Sequence, residues 1–424
     1  MHAPFGAASL RDIKRAAEGV CCPVLLIRDE VAAEQPGLVA LARRLFETVV
    51  VADGSESTLV RQCRLDGVTT FHDAELDLVD RVLASAGLPG RTGVDHAWDK
   101  LVQRSTLREH GLTSVRARGV DSREDLAAAV AELGRPGVLK PRRANTGTSL
   151  AMIDTADDFR HQMTARAAWR GLLYETRIPD GAHPSGVGWL GDFVSVETIN
   201  TDRHRHVAVV DKLGPSLVKH CGADGADSLN EVGDLVPSRL PGDMLAEVLD
   251  YTSRCLDALG VTWRVTHSEV KLTPTGPELI EVNGRTAGYL SRLVGLAHGP
   301  DLIRAALGLA VGRSPAEPLD GLSGSALLLL PAFPDRRGAV LSDVSAADLL
   351  RLPGVVGVDE VASAGDPRSR NGFRMAVLNL VADSFDEISA GREATLDGIN
   401  RLFARDLSAG LNRSHADAGH GGSQ

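Results

Sequence analysis

The sequence predicts a multi-domain protein of the α/β (α+β) class. A chain of 424 residues is too long for one ordinary core, and typical domain sizes suggest about two to four domains. Near the N-terminus, short β-branched runs alternate with helical stretches, which is typical of a parallel α/β unit. Between residues 313 and 403, the apolar runs instead predict a small β-rich unit closed by a helix.

The first predicted domain covers residues 1–97 and holds three strands. These strands are "CPVLLIRD" (22–29), "ETVVVAD" (47–53) and "GVTTFHD" (67–73). A helical stretch follows the first strand, and the helical "AELDLVDRVLASAGL" follows the third. Strands that alternate with helices in this way predict a small parallel sheet.

The middle of the chain divides into two predicted units, 98–178 and 179–312. The first contains the helices "DKLVQRSTLREHGL" and "SREDLAAAVAEL", with Ser122 as the N-cap of the second. It continues with "GVLKPRRANTGTSLAMI", which reads as strand, loop and strand, and with the strand "LLYETRI". The second unit has the strands "DFVSVETIN" and "HVAVVDKLG" and an amphipathic helix. The β-rich unit covers 313–404, and the small polar residues of 405–424 predict a disordered tail.

Composition argues against several classes of partner. A net charge of −10, 4% aromatic residues and no cluster of Lys and Arg argue against a nucleic-acid-binding surface. The longest apolar run, "ALLLLPAF", is too short to span a bilayer, so we expect no membrane contact. Five cysteines without C-x-x-C spacing suit a reducing compartment, and we expect a cytoplasmic protein.

The stretch "THSEVKLTPTGPELIEVNGRTAG" (266–288) predicts a hairpin with an acidic residue on each strand. Strand alternation predicts two sets of residues that share a face: Val265, His267, Glu269 and Lys271, and then Leu279, Glu281 and Asn283. A three-residue turn at 274–276 would place Glu269 opposite Glu281. The same register would place His267 opposite Asn283.

Facing carboxylates lie about 5 Å apart and repel each other unless a cation lies between them. Two carboxylates and an Asn carbonyl are hard oxygen ligands, which suit Mg²⁺. The hairpin therefore predicts a Mg²⁺ site made by Glu269, Glu281 and Asn283. Arg285, just beyond it, could hold a phosphate or an oxyanion. From the pattern alone, a solvent-facing hairpin with scattered charges remains an open alternative.

The order of these motifs resembles the ATP-grasp superfamily of carboxylate–amine ligases over about residues 20 to 400. Within that superfamily the chain looks most like the L-amino acid ligases, which join two amino acids. The motifs behind this choice are "VSVETI" (194–199), "DKLG" (211–214), "EVGDLVPSRLP" (231–241) and "NGRTAGYL" (283–290). The resemblance implies an ATP-grasp fold with a Rossmann-like domain at 1–97, a nucleotide lid at 98–178, the metal and substrate site within 179–312, and a small C-terminal lid domain at 313–404.

The resemblance also implies how ATP is held. Lys100 and Lys140 would contact its phosphates, and backbone N–H groups of the loop 142–149, with Gly147 and Thr148, would cover them. Relatives have more glycine in this loop, whereas this chain has "RANTGTS". An exposed surface charge is the alternative for each lysine, and for Lys100 alone it is the better explanation.

Adenine and ribose would lie beside the strand "LLYETRI". Backbone groups near Glu175, Thr176 and Arg177 would read the base, and Asp192 or Glu197 would bind the ribose hydroxyls. Two exposed strand carboxylates are an equally good explanation of Asp192 and Glu197.

The substrate residues also follow from the resemblance. Glu231 would bind the amino group of the first amino acid. The histidine that usually follows three positions later is Asp234 here, which we consider as a base. Gly288 and Tyr289 would line the pocket, although Tyr289 could equally be a core residue. His267 would orient the metal carboxylates, and Arg285 would stabilise the oxyanion.

The predicted reaction is ATP-dependent condensation of two amino acids to a dipeptide through an acyl phosphate. Its cofactors would be ATP and one or two Mg²⁺ ions, or Mn²⁺, its partners small-molecule amino acids, and its assembly a homodimer. Three alternatives stay open: a ligase for a non-amino-acid amine, a carboxylase-like enzyme that uses bicarbonate, and a catalytically silent nucleotide-binding protein.

Overall fold

The computed structural model describes residues 6–408 apart from 53, 55, 89–97, 144–147, 219–225, 316–321, 335–337 and 369–372. The described strands form sheets of two, six and eight strands. The two-stranded sheet is parallel, and neighbouring strands of the larger sheets are antiparallel. Helices combined with these sheets confirm the predicted α/β (α+β) class.

The bounds of the elements are as follows. The helices are α1 (Leu10–Ala17), α2 (Asp29–Glu34), α3 (Pro36–Leu45), α4 (Glu56–Gln62), α5 (Leu76–Ala86), α6 (Lys100–Glu109), α7 (Arg123–Leu133), α8 (Ala156–Ala165), α9 (Gly242–Ala258), α10 (Leu290–Leu296), α11 (Leu302–Ala310), α12 (Ala346–Leu349) and α13 (Phe385–Leu402). The strands are β1 (Val24–Arg28), β2 (Thr48–Ala52), β3 (Ala117–Val120), β4 (Gly137–Pro141), β5 (Thr148–Ile153), β6 (Leu172–Thr176), β7 (Leu190–Asn200), β8 (His204–Leu213), β9 (Ser216–Val218), β10 (Asp227–Asn230), β11 (Gly233–Val236), β12 (Arg264–Thr273), β13 (Gly276–Asn283), β14 (Ser325–Leu329), β15 (Val355–Val361) and β16 (Ala376–Ala382).

The N-terminal region has the expected parallel pairing of β1 with β2, but the strand predicted at 67–73 is wrong. This segment is irregular and leads into a short 3-10 turn at Asp73–Glu75. Gly67 lies so close to the backbone of α11 that a Cβ there would be 1.7 Å from the Ala310 carbonyl oxygen. The segment therefore packs against helix α11 instead of adding a strand to the two-stranded sheet.

The six-stranded sheet has the strand order β3-β6-β4-β5-β10-β9. Helix α7 covers it, with Leu126 and Ala129 fully buried against Leu139 and Tyr174. The N-cap predicted for this helix is confirmed, because the Ser122 side chain accepts a hydrogen bond from the Asp125 N–H. Strands β9 and β10 come from beyond residue 178, so this sheet includes both sides of that predicted domain boundary.

The eight-stranded sheet has the order β13-β12-β7-β8-β11-β14-β16-β15. Strands β14 to β16 belong to the predicted unit 313–404, yet they continue the sheet of the preceding unit. On one face, α9 packs through Val248 and Leu256 against Val270 and Leu279. Each of these fully buried side chains contributes about 1.5–3 kcal/mol. The domain boundaries themselves remain predictions.

The other face of this sheet carries α10, α11 and the N-terminal helix α1. Leu293 of α10, Leu302 of α11 and Ile13 of α1 share one core with Val265 and Val210 of the sheet. The N-terminal region is thereby fixed against the sheet that carries the acidic hairpin. Across the described parts of the chain, no helix is long and apolar enough to cross a membrane.

Candidate active site

Glu269 of β12 faces Glu281 of β13, as predicted, and His267 faces Asn283. The turn was predicted one residue too long, because Thr273 pairs with Gly276 and leaves only two residues between them. A bulge between the acidic pair and the turn absorbs the extra residue of β13. It also moves Leu279 opposite Val270, so the prediction that Leu279 shares the face of Glu281 is wrong.

The bulge is held by two side chains of α6. Arg104 is 2% exposed, and its guanidinium donates to the carbonyl oxygens of Leu279 and Ile280, each at 2.7 Å. Gln103 donates to the Val282 carbonyl at 2.7 Å and accepts from the Val282 N–H at 3.0 Å. Since β13 is the edge strand, these bonds satisfy backbone groups that have no further strand to pair with.

Lys100, at the first turn of α6, forms an ion pair with Glu281, with 3.0 Å between Nζ and Oε2. The Asn283 amide donates to the other oxygen of Glu281 at 2.8 Å. Burial raises the pKa of Glu281, but the charges of Lys100 and Lys140 and the bond from Asn283 outweigh it and lower the pKa to about 2. Lys100 is 6% exposed, so the alternative of an exposed surface charge is wrong for this lysine.

Lys140, at the end of β4, lies 2.6 Å from Glu175, which also accepts from Arg104 at 2.8 Å. Burial raises the pKa of Glu175, but these two cations lower it to about 2. Burial lowers the pKa of Lys140. Arg142 donates to Asp99 at 2.7 Å and so ties the end of β4 to the start of α6. Lys100 is buried and the Lys140 side chain is 13% exposed, so two largely buried ammonium groups lie beside the acidic hairpin.

On the other side of the hairpin, His267 contacts Glu269 at 3.3 Å through Nε2 and Glu197 at 2.6 Å through Nδ1. Burial lowers the pKa of His267, but the Glu197 carboxylate raises it to about 9. Glu197 is fully buried beside this histidine on the neighbouring strand β7, and its assignment to the ribose hydroxyls remains a prediction. Its physical role here is to orient His267.

The backbone predicted to read adenine is already engaged. The Thr176 N–H donates to the Arg116 carbonyl at 2.9 Å, and the Arg177 N–H donates to the Pro136 carbonyl at 3.1 Å. Both N–H groups have backbone acceptors here, and the reading of adenine by backbone groups near Glu175, Thr176 and Arg177 remains a prediction. The Asp192 carboxylate binds Lys271 at 2.7 Å, and its ribose role remains a prediction.

Arg285 is held by Asp73, a fully buried carboxylate of the N-terminal region. The Nε of Arg285 donates to Asp73 Oδ2 at 2.8 Å, Nη2 donates to the same oxygen, and Nη1 donates to the Thr286 carbonyl at 3.1 Å. One edge of the guanidinium is thus occupied, and two of its five N–H groups remain to meet a phosphate or oxyanion. Sequence reasoning missed Asp73, whose only signal is an acidic residue in a segment that looked like a strand.

Glu231 and Asp234 share the ammonium group of Lys212, at 2.7 Å and 2.8 Å. Burial and the charge of Glu231 raise the pKa of Asp234 to about 7, against the opposing charge of Lys212. The Glu231 side chain is 42% exposed and the Asp234 side chain is 2% exposed. Glu231 is thus the member of this pair that reaches the surface, and the role of Asp234 as a base remains a prediction.

Lys212 connects the pair Glu231 and Asp234 to the acidic hairpin. Ser195 of β7 faces both Glu269 and Val210, and Lys212 follows Val210 by two residues, so it lies on the face of Glu269. Burial lowers the pKa of Lys212, but the charges of Asp234, Glu231 and Glu269 raise it well above its usual value. Sequence reasoning included Lys212 in the motif "DKLG" without giving it a role.

Tyr289 follows Arg285 by four residues and has a left-handed backbone, with φ of 63°. Its hydroxyl donates to Glu360 of β15 at 2.6 Å, and the guanidinium of Arg374 lies 5.9 Å from its ring centroid. Gly288 lies exposed in the same turn. The pocket roles of Gly288 and Tyr289 remain predictions. Gly147 lies outside the described residues, and Thr148 is described only as the first residue of β5.

The donor set of the hairpin suits a hard divalent cation. Glu269 and Glu281 present carboxylates at facing positions, and Asn283 adds an amide oxygen next to Glu281. Within the described residues, no group of three or more His, Cys, Asp and Glu side chains is arranged to hold a metal. A metal here would therefore take two carboxylates and an amide, and the assignment of these three residues remains a proposal.

No family model matches the chain. The uncharacterized protein y4rH of Sinorhizobium fredii is 26% identical over 358 residues, which cover 81% of this chain and 68% of that protein. Human carnosine synthase 1 is 27% identical over 62% of this chain and 33% of its own length. Alanine–anticapsin ligase of Bacillus subtilis is 24% identical over 53% of this chain and 49% of its own length. The match thus spans half or less of the length of these two proteins.

Solved structures resemble almost the whole chain. The L-amino acid ligase from Bacillus licheniformis has a TM-score of 0.63 at 17% identity and covers 84% of this chain and 87% of its own. The ADP complex of N5-carboxyaminoimidazole ribonucleotide synthetase has a TM-score of 0.65 at 15% identity over 93% and 94%. A biotin carboxylase domain of Hydrogenobacter thermophilus, with MgADP and bicarbonate, has a TM-score of 0.61 at 13% identity over 91% and 86%. At these identities the likeness concerns the fold.

Proposed function

We propose that this chain, which has the ATP-grasp fold of these structural neighbours, is an ATP-dependent carboxylate–amine ligase that joins two amino acids into a dipeptide. One observation carries the proposal: two largely buried lysines, Lys100 and Lys140, lie beside a pair of facing carboxylates, Glu269 and Glu281. The lysines carry the charge that complements the phosphates of a nucleoside triphosphate, and the carboxylates carry the charge that complements its metal ion. The relatives include an alanine–anticapsin ligase, named for an amino acid, and a carnosine synthase, and these names support this substrate class.

Lys100 and Lys140 would bind the ATP phosphates. Each ammonium group is largely buried and is already oriented by a carboxylate. Little reorganisation would therefore be needed when a phosphate oxygen replaces that carboxylate as the partner of the lysine. One or two Mg²⁺ ions, or Mn²⁺, held by Glu269, Glu281 and Asn283 would add charge neutralisation at the same phosphates. His267, fixed by Glu197, would keep the Glu269 carboxylate in place.

The reaction has two steps. A carboxylate oxygen of the first amino acid attacks the γ-phosphorus, the bond to ADP breaks, and an acyl phosphate forms. The neutral amine of the second amino acid then attacks the acyl carbon, phosphate leaves, and the amine proton passes to a base or to water. The two remaining N–H groups of Arg285 would stabilise the oxyanion. Glu231, the exposed member of its group, would bind the ammonium of the first amino acid.

An assay of products tests this proposal. The protein is incubated with ATP, Mg²⁺ and pairs from a panel of amino acids, and both ADP and product mass are measured. The proposal expects ADP together with a mass equal to two amino acids minus water. A product from an amine without a carboxylate would favour a ligase of another kind, ADP only with bicarbonate would favour a carboxylase-like enzyme, and ATP binding without any ADP would favour a silent nucleotide-binding protein.

The cellular location and the oligomeric state of the protein are also part of this proposal. An enzyme that consumes ATP fits the predicted cytoplasmic location, and the homodimer is predicted by the resemblance alone. Size-exclusion chromatography with light scattering would measure the assembly directly, and a monomer would contradict the dimer.

A further inference from the structure

A cavity of about 390 Å³ lies in the C-terminal region, beside β15 and the start of β16. Part of its lining is apolar, with Phe333, Val340 and Val361. Another part is charged, with Asp359, Glu360, Asp366, Arg368 and Arg374. A space of this size, with apolar walls and a few charged groups, suits a small polar molecule that has an apolar portion.

Arg374 differs from the other charged groups of this cavity. Asp359 accepts from Asn379 at 2.7 Å, and Glu360 accepts from Tyr289 at 2.6 Å. Arg368, a second arginine of the lining, binds Asp406 at 2.7 Å. Among the residues that the structure describes, no carboxylate lies within ion-pair distance of Arg374. The Arg374 guanidinium is half-buried and forms no ion pair with the described carboxylates, so an anionic group of a ligand would gain a strong interaction there.

Arg374 also lies between the cavity and the candidate active site. Its guanidinium is 5.9 Å from the ring centroid of Tyr289, which follows Arg285 by four residues. Burial raises the pKa of Glu231, but the charges of Lys212, His267 and Arg374 together lower it. This influence places Arg374 within electrostatic range of Glu231. A ligand bound at Arg374 could therefore reach both the cavity and the substrate side of the hairpin.

We propose that Arg374 binds the α-carboxylate of the amine-donating amino acid and that the cavity holds its side chain. This inference rests on the proposed function and deepens it, because it assigns the residue that recognises the carboxylate of the second amino acid and the space that holds its side chain. During condensation the donor nitrogen bonds to the acyl carbon and phosphate leaves, while the donor carboxylate does not react. A planar guanidinium can thus hold that carboxylate with two parallel hydrogen bonds throughout the reaction.

The test compares amino acids with their C-terminal carboxamides, which keep the amine and the side chain but lack the negative charge. L-alanine, L-leucine, L-glutamine and L-lysine and their carboxamides serve as donors, with the acyl substrate fixed. Rates of ADP formation are measured for the unaltered protein and for Arg374→Met and Arg374→Lys. Arg392→Met is the matched control, because Arg392 also lies over an aromatic ring, 4.8 Å from that of Trp189, but outside the cavity.

The proposal expects Arg374→Met to lower kcat/KM for each amino acid by about 10-fold to 100-fold and to leave the carboxamides within about 2-fold. Arg374→Lys should recover part of the loss, and Arg392→Met should keep the preference for the carboxylate. Val361→Trp, which fills the cavity, should reduce the use of L-leucine and L-lysine more than that of L-alanine. A carboxylate preference that survives in Arg374→Met would overturn the proposal.

A binding measurement separates failure of this inference from failure of the proposed function. If no donor gives ADP, binding of the same amino acids and carboxamides is measured by calorimetry with MgADP present. Tighter binding of the amino acids, lost in Arg374→Met, would support the site without the reaction. Equal binding of both kinds of ligand to the unaltered protein would overturn it.

Discussion

The ammonium group of Lys100 lies 3.0 Å from a carboxylate oxygen of Glu281, and this ion pair joins the start of α6 to the edge strand of the eight-stranded sheet. The second lysine, Lys140, is held in the same way by Glu175. Both lysine side chains are largely buried, so water and salt screen their charges only weakly. The acidic pair of the hairpin and these lysines together form the centre of the proposed site.

Replacing either lysine should weaken the binding of phosphates. We expect Lys100→Met and Lys140→Met to lower the affinity for ATP by about 10-fold to 100-fold, because each removes a charge-assisted bond. The affinity for AMP should change much less, since AMP lacks the outer phosphates. Calorimetric titration with both nucleotides measures this difference. Lys14→Met, at an exposed position of α1, is the control, and equal losses for ATP and AMP would contradict the phosphate role.

Asp73 should matter through Arg285. In Asp73→Asn the guanidinium loses the carboxylate that fixes one of its edges, so we expect kcat to fall by about 10-fold or more with a smaller change in KM. Asp73→Glu should recover part of the loss. Steady-state kinetics with the best amino-acid pair measure both constants. Asp66→Asn, at an exposed position nearby, should behave as the unaltered protein, and a kcat unchanged in Asp73→Asn would contradict this positioning role.

Arg104 should be needed for stability. Arg104→Met leaves two carbonyl groups of the bulge and part of the Glu175 carboxylate without a donor, so we expect a loss of about 3 kcal/mol in the free energy of unfolding. Urea unfolding measures it. Arg108→Met, one turn further along the same helix and exposed, should change the free energy by less than about 0.5 kcal/mol. Equal effects of the two changes would contradict the role of Arg104.

The acidic pair could be predicted from the sequence because strand alternation fixes which residues share a face. The length of the turn could not, because the bulge that corrects the register is held by Arg104, about 175 residues earlier in the chain. Local patterns carry no information about a contact of that kind. The predicted register at Glu269 and Glu281 is nevertheless confirmed, since the bulge compensates for the shorter turn.

The charges around the site were predicted only in part. Lys100 and Lys140 were expected from the family resemblance, whereas Asp73 binds Arg285 across 212 positions of the chain and has no local signal. The resemblance also drew attention to Asp234, but it could not predict that this side chain is buried against Lys212, because burial depends on tertiary packing. The ATP-grasp fold, by contrast, is confirmed, because the order of strands and motifs along the chain determines it.

Acid should destabilise the protein through His206. Its ring contacts Thr198 at 2.9 Å and Ser253 at 2.7 Å, and burial, together with His204, lowers its pKa to about 4. In the unfolded chain this histidine binds a proton near pH 6.5. Its contribution to the free energy of unfolding is therefore fully present above that pH and is lost as the pH falls towards about 4. The loss should reach about 3 kcal/mol.

Urea unfolding between pH 7 and pH 4 checks this pH dependence. In His206→Gln the free energy of unfolding should fall less steeply with falling pH, because the contribution of this residue is gone. His110→Gln, at an exposed position, should show the same pH dependence as the unaltered protein. The same slope in His206→Gln and in the unaltered protein would show that another group is responsible.

The turnover of Glu281→Gln tests the central claim most directly. The substitution keeps the shape of the side chain but removes a carboxylate that pairs with Lys100 and faces Glu269. With ATP, Mg²⁺ and an amino-acid pair that the unaltered protein uses, we predict that ADP formation falls at least about 1,000-fold. Glu278→Gln, on the same strand but bound to Thr113 and Ser114, should retain turnover. Normal ADP formation by Glu281→Gln would contradict the assignment of this hairpin as the catalytic centre.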